Sequence, residues 1–255
     1  MAKQQQNGKP NASSQKQSVM REISSWAALL VTALFIMTFN LQTFGIPSSS
    51  MEKTLLVGDH LIVDRITPSP KTSWAVWEHY KEIHRGDIIV FYSPATPGMH
   101  LVKRVIGIPG DRLHLRDGSV YLNGVELREP YVIRRPDDYE PYRDNFPAVP
   151  DWQSPVLVTP AWRQALQAAK QGDDIIVPPH CYFAMGDNRD VSWDSRYWGF
   201  VPQASIIGRP LFVYWSFEEA ADPNGSVREQ AKYMLHAALH FFDETRWRRT
   251  FHFIN

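Results

Sequence analysis

No charged side chain occurs from Ile23 to Met51, and this absence of charge constrains the fold more than any other feature of the sequence. The most apolar part, Trp26 to Phe44, would be about 28 Å long as a helix. The hydrocarbon core of a bilayer is ~30 Å thick, so the stretch is long enough to cross it once. It predicts a transmembrane anchor, to which we assign residues 22–44. A cleaved signal peptide and a buried core helix are the two alternatives.

Basic residues precede this stretch without any acidic residue among them; in residues 1–21 they are Lys3, Lys9, Lys16 and Arg21. A polar segment of this kind cannot bury a core, so it predicts a disordered basic tail. Basic residues beside a membrane span remain in the cytoplasm. We therefore expect the tail to be cytoplasmic and residues 45–255 to form an extracytoplasmic domain.

The charge balance and the cysteine count exclude several classes of function. Lys and Arg total 27, as do Asp and Glu, so the chain lacks the basic field with which proteins hold nucleic acid. Cys181 is the single cysteine, which excludes an internal disulfide and a cysteine-rich zinc site. The nine histidines contain no His-Glu-x-x-His spacing, which is typical of zinc proteases. We therefore expect no nucleic-acid partner, no metal and no cofactor.

Short apolar and β-branched runs between turn residues predict a mostly β domain. The runs occupy residues 61–63, 87–91, 113–115, 120–122 and 125–127. The dipeptides Asp-Gly at 117–118 and Asn-Gly at 123–124 predict two successive tight hairpins. Helices and strands do not alternate, which disfavours a parallel doubly wound sheet. We therefore expect an antiparallel β-sheet domain with one N-terminal transmembrane helix and a few short helices.

Two further segments have patterns of their own. The segment 128–173 begins with a proline-rich run that cannot form central strands, and it predicts an irregular excursion with a short helix over 159–170. Ser226 and Glu229 have the spacing of a capping box and predict a C-terminal helix within 226–244. We expect this helix to pack on the domain, and a position on the membrane surface is the alternative.

Three polar segments contain the residue types that catalysis requires. Residues 47–56 include three consecutive serines just beyond the apolar stretch, although this pattern alone is typical of a linker. Residues 100–111 form a predicted strand with two adjacent cations, Lys103 and Arg104. Residues 186–200 are dense in Asp, Asn, Arg and Ser, which suits a hydrogen-bond network.

The strand over 100–111 bears on the choice of a general base. Successive side chains of a strand point to opposite faces, so we expect one of Lys103 and Arg104 to be partly buried. Burial lowers the pKa of a lysine, whereas an arginine stays protonated. Only Lys103 can therefore become a neutral base, and an exposed surface lysine is the alternative.

Together these segments resemble the type I signal peptidases, which are membrane-anchored serine proteases with a Ser/Lys dyad. The resemblance covers the apolar stretch and the chain from Ile46 to about Trp215, with the motifs in the family's order. These motifs are Ser50-Met51 with Thr54-Leu55, Arg85-Gly86-Asp87, Lys103-Arg104 with residues 107–111, and residues 186–196. The sequence departs from the family at Lys53, where many members have proline. The resemblance implies a mostly β fold of signal-peptidase type and serine endopeptidase activity without a cofactor.

The resemblance also implies a role for each matching polar side chain. Ser50 is expected to be the nucleophile and Lys103 the general base. The Ser50 backbone N–H and the Ser48 hydroxyl are expected to hold the oxyanion. Ser192 is expected to orient the lysine through a hydrogen bond.

By the same resemblance, Asp194 and Arg196 match a supporting ion pair near the site. Ile46, Met51 and Val102 match positions that line shallow apolar pockets. Such pockets admit only small side chains, such as alanine at the first and third residues before the cut.

Signal peptides of exported preproteins and the phospholipid bilayer are the partners that the resemblance implies. The implied location is the bacterial plasma membrane, with a single pass, a cytoplasmic N-terminus and an extracytoplasmic catalytic domain. Three alternatives stay open. Lys53 is a rival base; a self-cleaving repressor shares a related Ser/Lys fold but has a DNA-binding domain in place of an anchor; and a catalytically inactive membrane-anchored binding protein would keep the same fold.

Overall fold

The computed structural model of the chain describes residues 12–39, 41–65, 82–135, 137–220 and 225–254. The chain forms two compact units, residues 1–42 and residues 43–255. The first unit is built on one helix. The second contains the β-sheets and every candidate site residue.

The helix of the first unit, α1 (Ala12–Phe39), differs from the expected anchor at both ends. It begins within the segment expected to be disordered, of which residues 1–11 lie outside the described part of the chain. It ends at Phe39 instead of Phe44, because residues from Leu41 form a strand that the β-branched and aromatic side chains of the segment favour. Among the residues that the structure describes, no helix combines the length and the apolar character needed to cross a membrane.

The larger sheet has eight strands in the order β1-β2-β12-β3-β4-β10-β11, with β13 paired to β12. The pairs from β2 to β11 along this path are antiparallel. Its strands are β1 (Leu41–Gly45), β2 (Asp59–Asp64), β3 (Ile88–Tyr92), β4 (His100–Gly107), β10 (Cys181–Met185), β11 (Val201–Pro202), β12 (Ile206–Ser216) and β13 (His252–Phe253). The expected strands at 61–63 and 87–91 are therefore confirmed.

The smaller sheet has five antiparallel strands in the order β7-β6-β5-β9-β8. They are β5 (Arg112–Arg116), β6 (Ser119–Leu122), β7 (Val125–Glu126), β8 (Lys170–Gln171) and β9 (Asp174–Ile176). Both expected hairpins are confirmed. Their turn residues have positive φ, 48° and 76° at Asp117-Gly118 and 54° and 82° at Asn123-Gly124, as a two-residue type I′ turn requires. The mostly β, antiparallel class predicted from the sequence is thus correct.

The excursion at 128–173 is more regular than its prolines suggested. It contains two helices, one 3₁₀ turn and strand β8, because its aromatic side chains Tyr142, Phe146 and Trp162 are buried in one core cluster with the hairpin strands. The short helices of the second unit are α2 (Pro141–Asp144), α3 (Pro160–Ala169) and α4 (Ser195–Trp198), and its 3₁₀ turns are Ser49–Met51, Asp151–Gln153 and Gln203–Ser205.

The C-terminal helix, α5 (Val227–Leu239), begins with the expected capping box between Ser226 and Glu229. It ends five residues before the expected limit of 244. The chain turns there because Thr245 forms an antiparallel bridge with Phe217, just beyond β12.

Strand β4 lies between β3 and β10, inside the larger sheet. Apolar clusters cover both faces of this region of the sheet, one around Met51 and Val90 and another around Ile89 and Val105. Consequently Lys103 and Arg104 are both buried, with exposed fractions of 3% and 5%. The expectation that only one of the two cations would be buried is wrong, because it treated the strand as having one solvent face.

We expect Gly124→Ala to lower the free energy of unfolding by about 1 kcal/mol, because an L-residue is strained at a φ of 82°. No atom lies within 4 Å of the added Cβ, so a steric clash does not contribute. Urea unfolding followed by circular dichroism would measure the change.

Gly45→Ala is the matched control. Gly45 does not have positive φ, and its added Cβ would meet only the His60 ring at 3.7 Å. An equal loss in both variants would contradict the assignment of the strain to the hairpin turn.

Candidate active site

Ser50 lies in the 3₁₀ turn Ser49–Met51, between β1 and β2, and is held from two directions. Downstream, the backbone N–H of Leu55 donates to the carbonyl of Met51 at 2.8 Å, and both of these side chains are fully buried. From the opposite segment, the backbone N–H of Asn188 donates to the Ser50 carbonyl at 3.1 Å. The turn is therefore fixed to the loop that follows β10.

Lys103 reaches Ser50 from strand β4. Its Nζ donates a hydrogen bond to Ser50 Oγ over 2.6 Å. Burial lowers the pKa of Lys103 from 10.5 to about 8, while Asp194 opposes this shift and Arg196 adds to it. A lysine with this pKa is partly neutral near pH 8, so it can accept a proton from the hydroxyl that it contacts.

Ser48 lies on the solvent side of the same turn. Its Oγ is 3.3 Å from Ser50 Oγ, and the Ser48 side chain is exposed. A hydroxyl at this place can approach a group that binds at Ser50 from solution.

Asp194 and Arg196 form the expected ion pair, and both are fully buried. Arg196 Nε and Nη2 lie 2.9 and 2.8 Å from the two carboxylate oxygens, in a bidentate arrangement. Asp194 also caps α4 and accepts the backbone N–H of Gly186 at 3.1 Å. Burial alone would raise the pKa of Asp194, but Arg196 and these N–H donors hold it below its usual value.

Ser192 does not form the hydrogen bond to Lys103 that we expected. Its Oγ is buried and has no hydrogen-bond partner within the described part of the chain. The hydroxyl packs against Gly186, where an added Cβ would lie 2.3 Å from Ser192 Oγ and 2.5 Å from the Ser50 carbonyl oxygen. The absence of a side chain at Gly186 thus lets Ser192 and the Ser50 carbonyl both lie against its backbone. Lys103 nevertheless donates its hydrogen bond to Ser50 Oγ and not to Ser192.

A second buried ion pair escaped the sequence analysis. Arg104 Nε and Nη2 lie 2.8 and 2.7 Å from the carboxylate oxygens of Asp187, and Thr54 Oγ1 donates to the same carboxylate at 2.5 Å. The Arg104 guanidinium also lies over the Tyr131 ring at 4.0 Å. This cluster links β4, the nucleophile segment and the loop after β10. The sequence carried a signal, since all three polar residues fall in the quoted motifs, but motifs do not state which residues pair.

The three residues expected to line the substrate pockets lie in one apolar cluster. Ile46 and Met51 are buried members of it, and Val102 packs against them while partly exposed. Met51 has an exposed fraction of only 1%, so most of its side chain faces other residues of the cluster. The structure therefore brings the three together beside Ser50.

The rival base, Lys53, points away from the nucleophile. Its Nζ donates to the carbonyl of Pro130 at 2.5 Å, and its side chain is exposed. The Lys53 backbone has a φ of 83°, which the ring of proline cannot adopt. The departure from the family at this position therefore accompanies a different local backbone.

The C-terminal residues contact the loop that follows the nucleophile turn, a role that the sequence did not reveal. Arg249 Nη2 donates to the carbonyl of Thr54 at 3.0 Å and to the fully buried carboxylate of Asp59 at 2.5 Å. Arg246 Nη2 donates to the carbonyls of Val57 and Phe217. These contacts join the end of the chain to the segment between Ser50 and β2.

Comparison with known proteins identifies similar chains. Residues 19–215 match the family described as signal peptidase, peptidase S26. The signal peptidase I of Leptolyngbya laminosa is 33% identical over 204 residues, covering 77% of this chain and 80% of that protein. The signal peptidase I of Bacillus caldolyticus is 31% identical over 204 residues, covering 77% and 91%. A crystal structure of a signal peptidase I from Enterococcus faecalis V583 is 34% identical, covers 51% of this chain and 97% of that chain, and has a TM-score of 0.37.

The burial of Lys103 predicts a stability that depends on pH in a defined direction. Its folded pKa of about 8 is below its ordinary value of 10.5, so the unfolded chain binds more protons between these two values. The free energy of unfolding should therefore rise as the pH increases through this window. Because a shift of this size costs about 3 kcal/mol at neutral pH, we expect Lys103→Met to be more stable than the unmodified chain by up to that amount at pH 7.

Urea unfolding at pH 7 and pH 10.5 would measure this difference, with Lys53→Met as the exposed control. We expect the gain from Lys103→Met to shrink at the higher pH and the control to change little. A gain of equal size at both pH values would contradict the assignment of the cost to the buried charge.

Proposed function

The chain belongs to the S26 family of signal peptidases, and on that premise we propose that Ser50 and Lys103 are the dyad with which it removes signal peptides from exported preproteins. The enzyme is a serine endopeptidase of the signal peptidase I type. One contact supports the choice of residues above all others, the 2.6 Å hydrogen bond from the buried Lys103 Nζ to Ser50 Oγ.

The reaction follows from the protonation of the dyad. Neutral Lys103 removes the proton of Ser50 Oγ as this oxygen attacks the scissile carbonyl carbon. The resulting ammonium returns the proton to the leaving amine when the C–N bond breaks, and an acyl-enzyme on Ser50 remains. Lys103 then removes a proton from water as the water attacks the ester carbonyl. The ammonium returns this proton to Ser50 Oγ when the ester C–O bond breaks, and the signal peptide leaves as a carboxylic acid that ionises in solution. No metal or cofactor is required for these steps.

The oxyanion of each tetrahedral intermediate needs hydrogen-bond donors on the open side of the turn. The Ser48 hydroxyl, 3.3 Å from Ser50 Oγ, and the Ser50 backbone N–H are the donors that we assign. The exposure of Ser48 supports this assignment, because the substrate carbonyl approaches from solution.

The groups behind Lys103 set its charge without taking part in bond changes. Asp194 and Arg196 neutralise each other in a bidentate pair, so burial remains the largest influence on the pKa of Lys103. Ser192 is a positioning residue in this proposal. Its buried hydroxyl has no hydrogen-bond partner within the described ranges, so it is available to accept from the Lys103 ammonium once Ser50 Oγ has become an ester oxygen.

The preference for small residues before the cut is assigned to Ile46, Met51 and Val102. Two of these side chains are buried and the third, Val102, is partly exposed, and in this proposal they form a shallow apolar floor for the substrate residues that bind next to Ser50. Shallow surface of this kind accepts alanine and excludes larger side chains at the first and third positions before the cut.

A membrane location completes the proposal. The part of α1 from residue 22 to residue 39 is assigned as the single-pass anchor in the bacterial plasma membrane, residues 1–21 to the cytoplasm and residues 45–255 to the extracytoplasmic face. The uncharged stretch and the basic residues before it support this topology. Such an anchor would keep the enzyme beside the bilayer, where the cleavage sites of exported preproteins emerge.

Cleavage of a preprotein with an Ala-x-Ala site, in detergent, tests the dyad. We expect kcat/KM to rise about tenfold per pH unit below pH 8 and to level off above it, because only neutral Lys103 accepts the proton. Ser50→Ala and Lys103→Ala should each lower kcat by ~10⁴-fold or more while the fold persists in circular dichroism.

Lys53→Ala is the control for the base, and its rate and pH profile should match those of the unmodified enzyme. If Lys103→Ala keeps its activity while Lys53→Ala loses it, the base is misassigned. If the folded, unmodified chain cuts no preprotein, the inactive binding protein of the same fold becomes the better description.

The oxyanion assignment has its own test in two neighbouring serines. Ser48→Ala should lower kcat by ~10²-fold to 10³-fold with little change in KM, because the lost hydrogen bond forms mainly in the transition state. Ser49→Ala, one residue closer to the nucleophile in sequence, should stay within about twofold. Equal losses in both variants would point to a disturbed turn and not to a lost donor.

A further inference from the structure

Three potential metal ligands converge at the end of the C-terminal helix, away from the proposed dyad. His236 and His240 are one helical turn apart, and Glu244 follows one turn later. One ligand atom from each residue lies within 4.8 Å of the other two. We propose that these residues bind a divalent transition metal ion of the zinc type, with Glu219 as the fourth ligand.

The distances within this cluster bring donor atoms toward one point. His236 Nε2 is 2.9 Å from Glu244 Oε2 and 3.5 Å from Glu219 Oε2. His240 Nδ1 is 3.6 Å from Glu244 Oε1. The two imidazole ring centroids are 4.5 Å apart. Zinc prefers bond lengths of about 2.0–2.2 Å, so the three clustered groups would have to move closer together, and Glu219, which lies beside His236, would have to turn toward the ion.

The chemistry of the donors selects the class of metal. Two imidazoles with carboxylates suit zinc and its neighbours in the first transition series, whereas calcium and magnesium prefer all-oxygen sites. The i, i+4 spacing places both histidines on one helix face. From the sequence we expected no metal because the His-Glu-x-x-His spacing is absent, and this histidine pair lacks the glutamate of that motif.

No lysine or arginine of the described residues competes with an ion for the carboxylates of the cluster. Within the described ranges, neither Glu219 nor Glu244 forms an ion pair with a lysine or arginine, and their ion-pair partners are the two histidines. His240 Nδ1 also lies 2.9 Å from Asp243 Oδ2, and this contact raises the pKa of His240. A metal at Nδ1 would displace both the proton and this hydrogen bond.

The backbone around the cluster is fixed before any ion binds. Thr245 forms an antiparallel bridge with Phe217, and the Glu218 N–H donates to the Glu244 carbonyl at 3.2 Å. The His236 ring packs edge-on against Phe217, with centroids 6.1 Å apart. Glu219 comes from the segment after β12, whereas His236 lies in α5 and His240 directly follows that helix. The metal would therefore join two segments that are distant in sequence, which is the behaviour of a structural site with four protein ligands.

Zinc titration of the full chain in detergent, followed by isothermal calorimetry, tests this proposal. We expect one zinc ion per chain, and we expect zinc to raise the midpoint of thermal unfolding because it binds only the folded state. His240→Asn and Glu244→Gln should each lower the affinity by about tenfold or more. Both changes are at partly exposed positions, so the variants should keep the fold.

His114→Asn is the matched control, because His114 Nδ1 also contacts a carboxylate, that of Asp174 at 2.6 Å, but among the described residues it belongs to no group of three potential metal ligands. It should bind zinc as the unmodified chain does. Visible absorption of bound Co²⁺, which reports coordination number, should have the intensity of a four-coordinate site and should be lost in His240→Asn. No binding by the unmodified chain, or an equal loss of affinity in His114→Asn and His240→Asn, would overturn the proposal.

Discussion

The removal of the Lys103 amine from water is the constraint on which the site depends. A charged ammonium loses hydration when it is buried, and the two carboxylates that favour the charged form of Lys103, Asp194 and Asp187, are themselves paired with arginines. The sheet supplies the free energy for this burial, because β4 is paired on both edges and apolar side chains cover both faces. The same apolar packing that stabilises the domain thus brings an amine to a pKa at which it can act on Ser50.

Buried ion pairs around the lysine keep its surroundings close to neutral. Arg196 is paired with Asp194 and Arg104 with Asp187, each in a bidentate arrangement. An unpaired carboxylate in either place would stabilise the ammonium and raise the pKa of Lys103 again. An unpaired guanidinium would instead leave a buried charge without compensation. The opposite charges within each pair therefore offset one another, so the pairs have little net effect on the charge of Lys103. They also link β4 to the loop after β10.

The parts of the fold that could be predicted from sequence are those set by local chemistry. Asn123-Gly124 fixes a type I′ turn through two positive φ values, and Ser226 fixes the start of α5 through its own hydroxyl. The position of β4 inside the sheet depends on pairing with β10, nearly 80 residues further along the chain, so the burial of Arg104 was missed. The motifs included residues that the structure brings into contact, such as Ser50 and Lys103, but they did not reveal the other pairings, as Ser192 and the Asp187 cluster illustrate. The limits of α1 were missed because hydropathy alone does not mark where a helix gives way to a strand.

The contacts of Arg249 have a consequence for the order in which the protein is made. The carbonyl of Thr54, four residues after Ser50, accepts its hydrogen bond from a side chain 195 residues later. Because a ribosome builds the chain from its N-terminus, Thr54 is added 195 residues before this arginine. The segment that follows Ser50 therefore lacks this hydrogen bond while the intervening residues are being synthesised, and it gains the bond only after residue 249 has been added.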